Sequence, residues 1–178
     1  DSSVVSEELK TDENGELTVD DLEWGTYWLE EVQAPDGCYL YGNTRKKFAV
    51  EASAVTAELE MENRSYGTAV LKKRDRDHQE RAVPGAEYDL YSEKGKLLGT
   101  YMTDQNGEIR AERLEWGSYY FREKTAAPGY ELNDEIISFT VYRENVLTPI
   151  LLETEDEEQT ASVVLVKYDG EDHSLRLA

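Results

Sequence analysis

The sequence predicts an all-β chain of antiparallel β-sandwich modules of immunoglobulin-like type, arranged in tandem, and three observations carry that prediction. A segment occurs twice, from Thr11 to Gly37 and from Thr103 to Gly129, at a constant offset of 92 residues, with 13 of 27 positions identical, including Leu-Glu-Trp-Gly. That spacing exceeds a solenoid repeat and matches one small domain. Tyrosine is abundant, at 12 residues, and together with Thr, Val and Ile it falls in short alternating runs between Asn-Gly, Asp-Gly and Pro-Gly turns. No convincing amphipathic helical pattern interrupts these runs.

Taken in order, Asn14-Gly15 and Asn106-Gly107 are turn signals that precede the two copies of Leu-Glu-Trp-Gly. The following runs, Gly25 to Glu31 and Gly117 to Glu123, place Tyr27 and Leu29, and Tyr119 and Phe121, on one face of a half-buried strand. Two further runs close each unit: Phe48 to Val50 then Val55 to Asn63, and Ile137 to Val141 then Val146 to Thr154, matching at an offset of 91. A complete unit starts near Gly67 with GTAVLKKRD, continues through GAEYDLY and ends near Glu157. After Thr160, ASVVLVKYD repeats the opening strand, with Lys167 at the position of Lys73. The expected domains are therefore 1–63, the C-terminal two thirds of a module; 64–157, a complete module; and 158–178, the first strand of another. Such a tail could complete 1–63 by strand addition, in the same chain or in a neighbour.

Composition removes several function classes. With 178 residues, 39% of them hydrophobic, the chain can furnish modest cores, and its net charge of −20 disfavours nucleic acid and anionic membrane surfaces. No signal peptide, transmembrane run or C-terminal sorting sequence is visible, so a piece of something longer is expected. Cys38 is the only cysteine, which rules out an intramolecular disulfide. The acidic run from Glu153 to Glu158 reads as a solvated boundary.

Side-chain phase points to the chemistry. Residues two apart in a strand share a face, so Lys73 points with Ala69 and Leu71, and Lys167 with Val163 and Leu165. By the same count Glu31 and Glu123 face the core, and Asn63 ends the apolar face that carries Leu59 and Met61. Lysine and glutamate are rarely buried unpaired. One explanation is a plain buried ion pair. The other is reactive: an apolar site favours a neutral amine and a protonated carboxyl, so the amine can attack a side-chain amide while the glutamate shuttles protons and ammonia leaves. Both remain open on phase alone.

The motifs GTAVLKKRD, PGAEYDLY, TDQNGEI and the Gly-x-Tyr-x-(Leu/Phe)-x-Glu-x-x-Ala-Pro-like stretch resemble the B-type repeat domain of Gram-positive collagen-binding adhesins, found also in SpaA-like pilins. The resemblance implies a prealbumin-like sandwich with a spontaneous Lys-Asn isopeptide bond: lysine on the first strand, acceptor on the last, and glutamate between. Glu31 and Glu123 would be the proton shuttles, with Asn63, Lys73 and Lys167 the bond-forming residues. The first module supplies Glu31 and Asn63, and Lys167 from the tail would complete that set. In the central module the offset puts Thr154 at the acceptor position, where threonine has no acyl carbon. No bond is then expected there unless Glu153 or Asp156 takes that position, and Lys73 and Glu123 would persist as an ion pair with a hydrogen bond from Thr154.

The weaker candidates have bland readings. His78 and His173 recur in acidic loops and are expected to be solvated turn residues rather than ligands, and no metal or other cofactor is expected. Trp24 and Trp116 suit local packing better than a sugar platform. Cys38 lacks a paired histidine. The implied function is a structural stalk or spacer of a cell-wall-anchored surface protein of a Gram-positive bacterium. It would be no turnover enzyme; its partners would be neighbouring modules or a second chain, with no membrane insertion. The alternative is an adhesin module that binds host matrix protein or glycan.

Overall fold

A computed structural model describes residues 9–51 and 57–168. The chain divides into two units, Asp1–Arg64 and Ser65–Ala178.

The second unit holds the core. Its described strands are β5 (Gly67–Asp75), β6 (Glu87–Ser92), β7 (Leu97–Met102), β8 (Glu108–Leu114), β9 (Gly117–Thr125), β10 (Ile136–Val141) and β11 (Ile150–Asp156), with a 3-10 turn at Arg143–Asn145. They form a four-stranded sheet in the order β10-β9-β6-β7 and a three-stranded sheet in the order β11-β5-β8. Alternation does the sorting: on β9, Tyr119, Phe121 and Glu123 are buried while Arg122 and Lys124 are exposed. Ala69 and Leu71 of β5, Tyr88 and Leu90 of β6, Ile109 and Ala111 of β8 and Phe139 and Val141 of β10 meet these side chains in one apolar cluster. Phe121 stacks on Phe139 at 5.6 Å and meets Tyr88 edge-on at 6.4 Å.

The sandwich is not wholly antiparallel. β11 pairs in parallel with β5, Thr154 lying opposite Lys73 and Asp156 opposite Asp75. The closing strand also starts and ends later than the sequence offset suggests, since Arg143–Asn145 turns before Ile150 begins the ladder.

The first unit carries β1 (Gly25–Glu30), β2 (Cys38–Leu40), β3 (Arg45–Val50) and β4 (Asn63–Ser65), with β1 paired to β3 and β2 to β4. None of its described residues is fully buried. The expected closing strand from Val55 to Asn63 is not formed over residues 57–62, and Val55 lies outside the described residues; only the short β4 at its end finds a ladder partner. The duplicated segment nevertheless builds the same local devices twice. Asp12 Oδ1 accepts from the main-chain N–H of Asn14 and Glu16, each at 2.9 Å, and Asp104 Oδ1 does the same for Asn106 and Glu108, each at 2.8 Å. The Tyr27 hydroxyl donates to the Glu23 carbonyl at 2.8 Å, and Tyr119 to Glu115 at 2.7 Å.

Residues 159–167 form no strand, although the repeated opening motif predicts one over 161–169; Asp169 lies outside the described residues. Val163, Val164 and Leu165 are 93%, 82% and 79% exposed. The run Glu153 to Glu158 is not simply a solvated boundary, because Thr154 and Asp156 are buried. The acidic groups between and beyond them are paired: Glu155 and Glu157 with Arg76, Glu155 also with Gln79, and Glu158 with Arg81.

Candidate functional site: a buried lysine between two carboxyls

Lys73 sits near the end of β5 on the face that carries Ala69 and Leu71, and its ammonium is fully buried. Its Nζ lies 2.5 Å from Asp156 Oδ1 on β11 and 3.0 Å from Glu123 Oε1 on β9, and it donates to the Tyr88 hydroxyl of β6 at 2.6 Å. Four strands therefore converge on one nitrogen. Glu123 Oε2 accepts the main-chain N–H of Asn133 at 2.8 Å. Burial pushes the Glu123 carboxyl above its ordinary value, against the lowering effect of the Asn133 N–H and of Lys73. Burial likewise raises the Tyr88 phenol, reinforced by the charges of Glu123 and Asp156. Tyr88 is thus a hydroxyl at any working pH, free to accept from the amine.

Asp156, and not Thr154, is the β11 side chain that Lys73 Nζ reaches. Both point inward on β11, but the lysine stem runs past its direct partner Thr154 and reaches the side chain two residues further along the same face. Apart from the Lys73 approach, no polar group among the described residues engages either Asp156 oxygen. A carboxyl carbon with a buried amine at contact distance, and a second carboxyl of raised pKa beside it, is an arrangement suited to amide formation.

The first unit presents half of such a site. Asn63 Nδ2 donates to Glu31 Oε1 at 2.7 Å, and Asn63 Oδ1 is buried without a hydrogen-bond donor among the described residues. Lys167 is exposed and lies outside any strand.

The remaining candidates divide. His78 is a turn residue whose main-chain N–H donates to Asp75 Oδ1 at 2.9 Å, and His173 lies outside the described residues. Trp116 packs on the core and its Nε1 donates to the Ser65 carbonyl at 3.0 Å, whereas Trp24 is 77% exposed. Cys38 is a half-buried cysteine in β2. Two participants escaped the sequence reading. Tyr88 was accessible to it, because Ala86, Tyr88 and Leu90 share a strand face; Asn133 lies in a loop with no periodic signal.

The profile of the SpaA prealbumin-like fold domain matches residues 1–65 and again residues 67–156. The chain belongs to this family. Among curated proteins it is similar to serine-aspartate repeat-containing protein D of Staphylococcus aureus (strain MW2), 27% identical over 135 residues, which is 65% of this chain and 10% of that protein. It is also similar to serine-aspartate repeat-containing protein C of the same species (strain Newman), 27% identical over 128 residues, 61% of this chain and 14% of that protein. The chain thus spans about a tenth of the length of these relatives. Among solved structures, the Bacillus anthracis TIE protein is 29% identical with a TM-score of 0.54, covering 84% of this chain and 28% of that one. BcpA, the major pilin subunit of Bacillus cereus, is 28% identical with a TM-score of 0.48, covering 53% of this chain and 29% of that one. The matched profile is that of a structural prealbumin-like fold domain and not of an enzyme. Among the described residues no helix is long and apolar enough to cross a membrane.

Proposed function

We propose that the chain is a structural stalk or spacer segment of a surface protein, displayed outside a Gram-positive cell and anchored to its wall, and that its second unit is locked by a Lys73–Asp156 isopeptide bond. The observation that carries this reading is the 2.5 Å approach of a fully buried Lys73 Nζ to Asp156, with Glu123 at 3.0 Å. The Lys73 ammonium first gives one proton to the Asp156 oxygen it touches, and the resulting neutral amine attacks Cγ of the protonated carboxyl. A second amine proton passes to Glu123, which returns it to the protonated Asp156 oxygen, so that this oxygen leaves as water. One C–N bond forms, one C–O bond breaks, and Glu123 ends as it began. The reaction occurs once per molecule. Intact-mass spectrometry of the denatured chain tests it: a deficit of one water, mapped to a Lys73–Asp156 branched peptide, supports the bond, and a full-mass chain refutes it.

A second reading concerns the first unit, where a buried Asn63 oxygen without a donor sits beside Glu31. This half-site would accept a lysine-bearing strand, and the segment around Lys167 of a second chain has the matching motif and exposed apolar side chains. Loss of one ammonia in a dimer that survives denaturing electrophoresis supports this; a strictly monomeric band at high protein concentration opposes it. Trp24, at 77% exposure, is the feature that would favour a glycan- or matrix-binding role instead, and a glycan and matrix-protein array tests that alternative.

A further inference from the structure

We propose that Asn133 is the positioning residue of the condensation site, tying the loop that aims Glu123 to the strand that carries Asp156. The inference rests on the Lys73–Asp156 reading above and adds a residue to it. In the loop 131–135 every residue is exposed except Asn133, whose side chain turns inward. Its main-chain N–H and both side-chain polar atoms are engaged. The main-chain N–H donates to Glu123 Oε2 at 2.8 Å, Nδ2 donates to the carbonyl of Glu155 at 2.8 Å, and Oδ1 accepts the N–H of Glu135 at 2.9 Å.

Each contact has a distinct consequence. The first pins one oxygen of the shuttle, which leaves the other, Oε1, facing the lysine nitrogen at 3.0 Å. The second grips β11 at the residue immediately before Asp156, so the acceptor and the shuttle are held by one residue. The third closes a local turn that keeps the N–H pointing at the carboxylate. Neighbouring main-chain bonds reinforce the grip: Glu131 N–H donates to the Glu157 carbonyl at 2.9 Å, and Gln159 N–H to Gly129 at 2.8 Å. A polar cleft of about 180 Å³ is lined by Arg76, Glu131 to Asp134, Asp156 and Glu157, so the Asn133 loop and the end of β11 share one surface recess. The first unit repeats the turn, with Asn43 Oδ1 accepting the N–H of Arg45 at 3.1 Å in the segment that follows Glu31.

The experiment uses the whole chain made by timed cell-free synthesis and quenched into denaturant, with the dehydrated fraction read by intact mass across a pH series. Asn133→Ala is expected to condense roughly ten- to a hundredfold more slowly, the scale on which a misplaced catalytic group is felt. The groups facing Glu123 are Lys73, Tyr88, Asp156 and the Asn133 N–H. Because that N–H lowers the Glu123 carboxyl, loosening it should also move the Glu123-dependent limb of the rate–pH profile to higher pH. Asn133→Asp keeps the acceptor for Glu135 and should fall between, and it carries the test if the alanine variant does not fold. Wild-type rates in both variants overturn the proposal, and so does uniform slowing without movement of the pH profile, which is what a merely structural loop would give. A wild-type chain that never loses water removes the condensation reading itself and this proposal with it. Condensation in the wild type and in both variants alike removes only the role of Asn133.

Discussion

Replacing Glu123 by glutamine is the most informative single change, because it keeps the shape of the buried cluster and removes only its proton shuttle. The glutamine carbonyl can still accept the Asn133 N–H, and Lys73 still faces Asp156, so the sandwich should fold with an ordinary ion pair in place of the bond. The difference in stability is then chiefly the cross-link. A covalent tie from Lys73 to Asp156 closes most of the second unit into one loop. The chain-entropy treatment assigns a closure of that length about 4–5 kcal/mol. For a domain of this size each kcal/mol moves Tm by about 4–8 °C, so the variant should melt roughly 20–35 °C below the wild type. Calorimetry paired with intact mass reads both quantities on one sample. The reasoning fails if Glu123→Gln still loses a water, or if it retains full mass yet melts with the wild type.

Three further outcomes are expected. Asp156→Asn should keep the cross-link while releasing ammonia in place of water, Asp156→Ala should abolish it, and Thr154→Val should leave the mass deficit unchanged; tandem mass spectrometry distinguishes all three. The two equivalent turn glycines should respond unequally to alanine. A Cβ at Gly107 (φ +71°) would lie 2.5 Å from the Lys73 carbonyl, whereas one at Gly15 (φ +79°) meets nothing within 4 Å. Gly107→Ala should therefore destabilise its unit by about 1–3 kcal/mol more than Gly15→Ala, whose cost is backbone strain alone, as judged by denaturant titration. Tyr130→Phe tests the buried carboxylate at the end of β5. Burial pushes Asp75 up, but the Tyr130 hydroxyl and the main-chain N–H groups of His78 and Asp77 hold it below its ordinary value. A depressed carboxyl stabilises above its unfolded pKa and loses that contribution as the pH falls through its folded pKa. The Tyr130→Phe deficit in Tm should accordingly be full at neutral pH and close in acid, and a deficit constant down to strong acid would contradict this.

Much of the site was written in strand phase. Lys73 shares a face with Leu71, and Glu123 with Phe121, so a period of two was enough to bury both and to imply a partner. The same rule put Asp156 on the face of Thr154, but an ungapped offset from Asn63 ended the closing strand two residues early. What offset counting cannot register is the later start of β11 at Ile150, after the 3-10 turn, and its parallel pairing with β5, both set by tertiary packing. Asn133 was invisible for a different reason. Its contacts are made by a main-chain N–H, one local side-chain hydrogen bond and one that reaches across to β11, all from an aperiodic loop where side-chain identity carries little signal. In the first unit the turn at Asn14-Gly15 and the Tyr27 hydroxyl bond follow from local sequence alone, and they form although none of that unit's described residues is fully buried.

The parallel pairing of β5 with β11 also decides how tension crosses the second unit. Pulling on Gly67 and on the chain beyond Asp156 drags two adjacent parallel strands lengthwise past each other, so the ladder bonds resist together and do not unzip in turn. With Lys73 joined to Asp156, the pull enters along β5, crosses at the lysine stem and leaves at the last residue of β11. The sheet β10-β9-β6-β7 then hangs outside the tensile route as a side loop. Such a link has almost no slack to give up, and a row of them would behave as a cord of nearly fixed length.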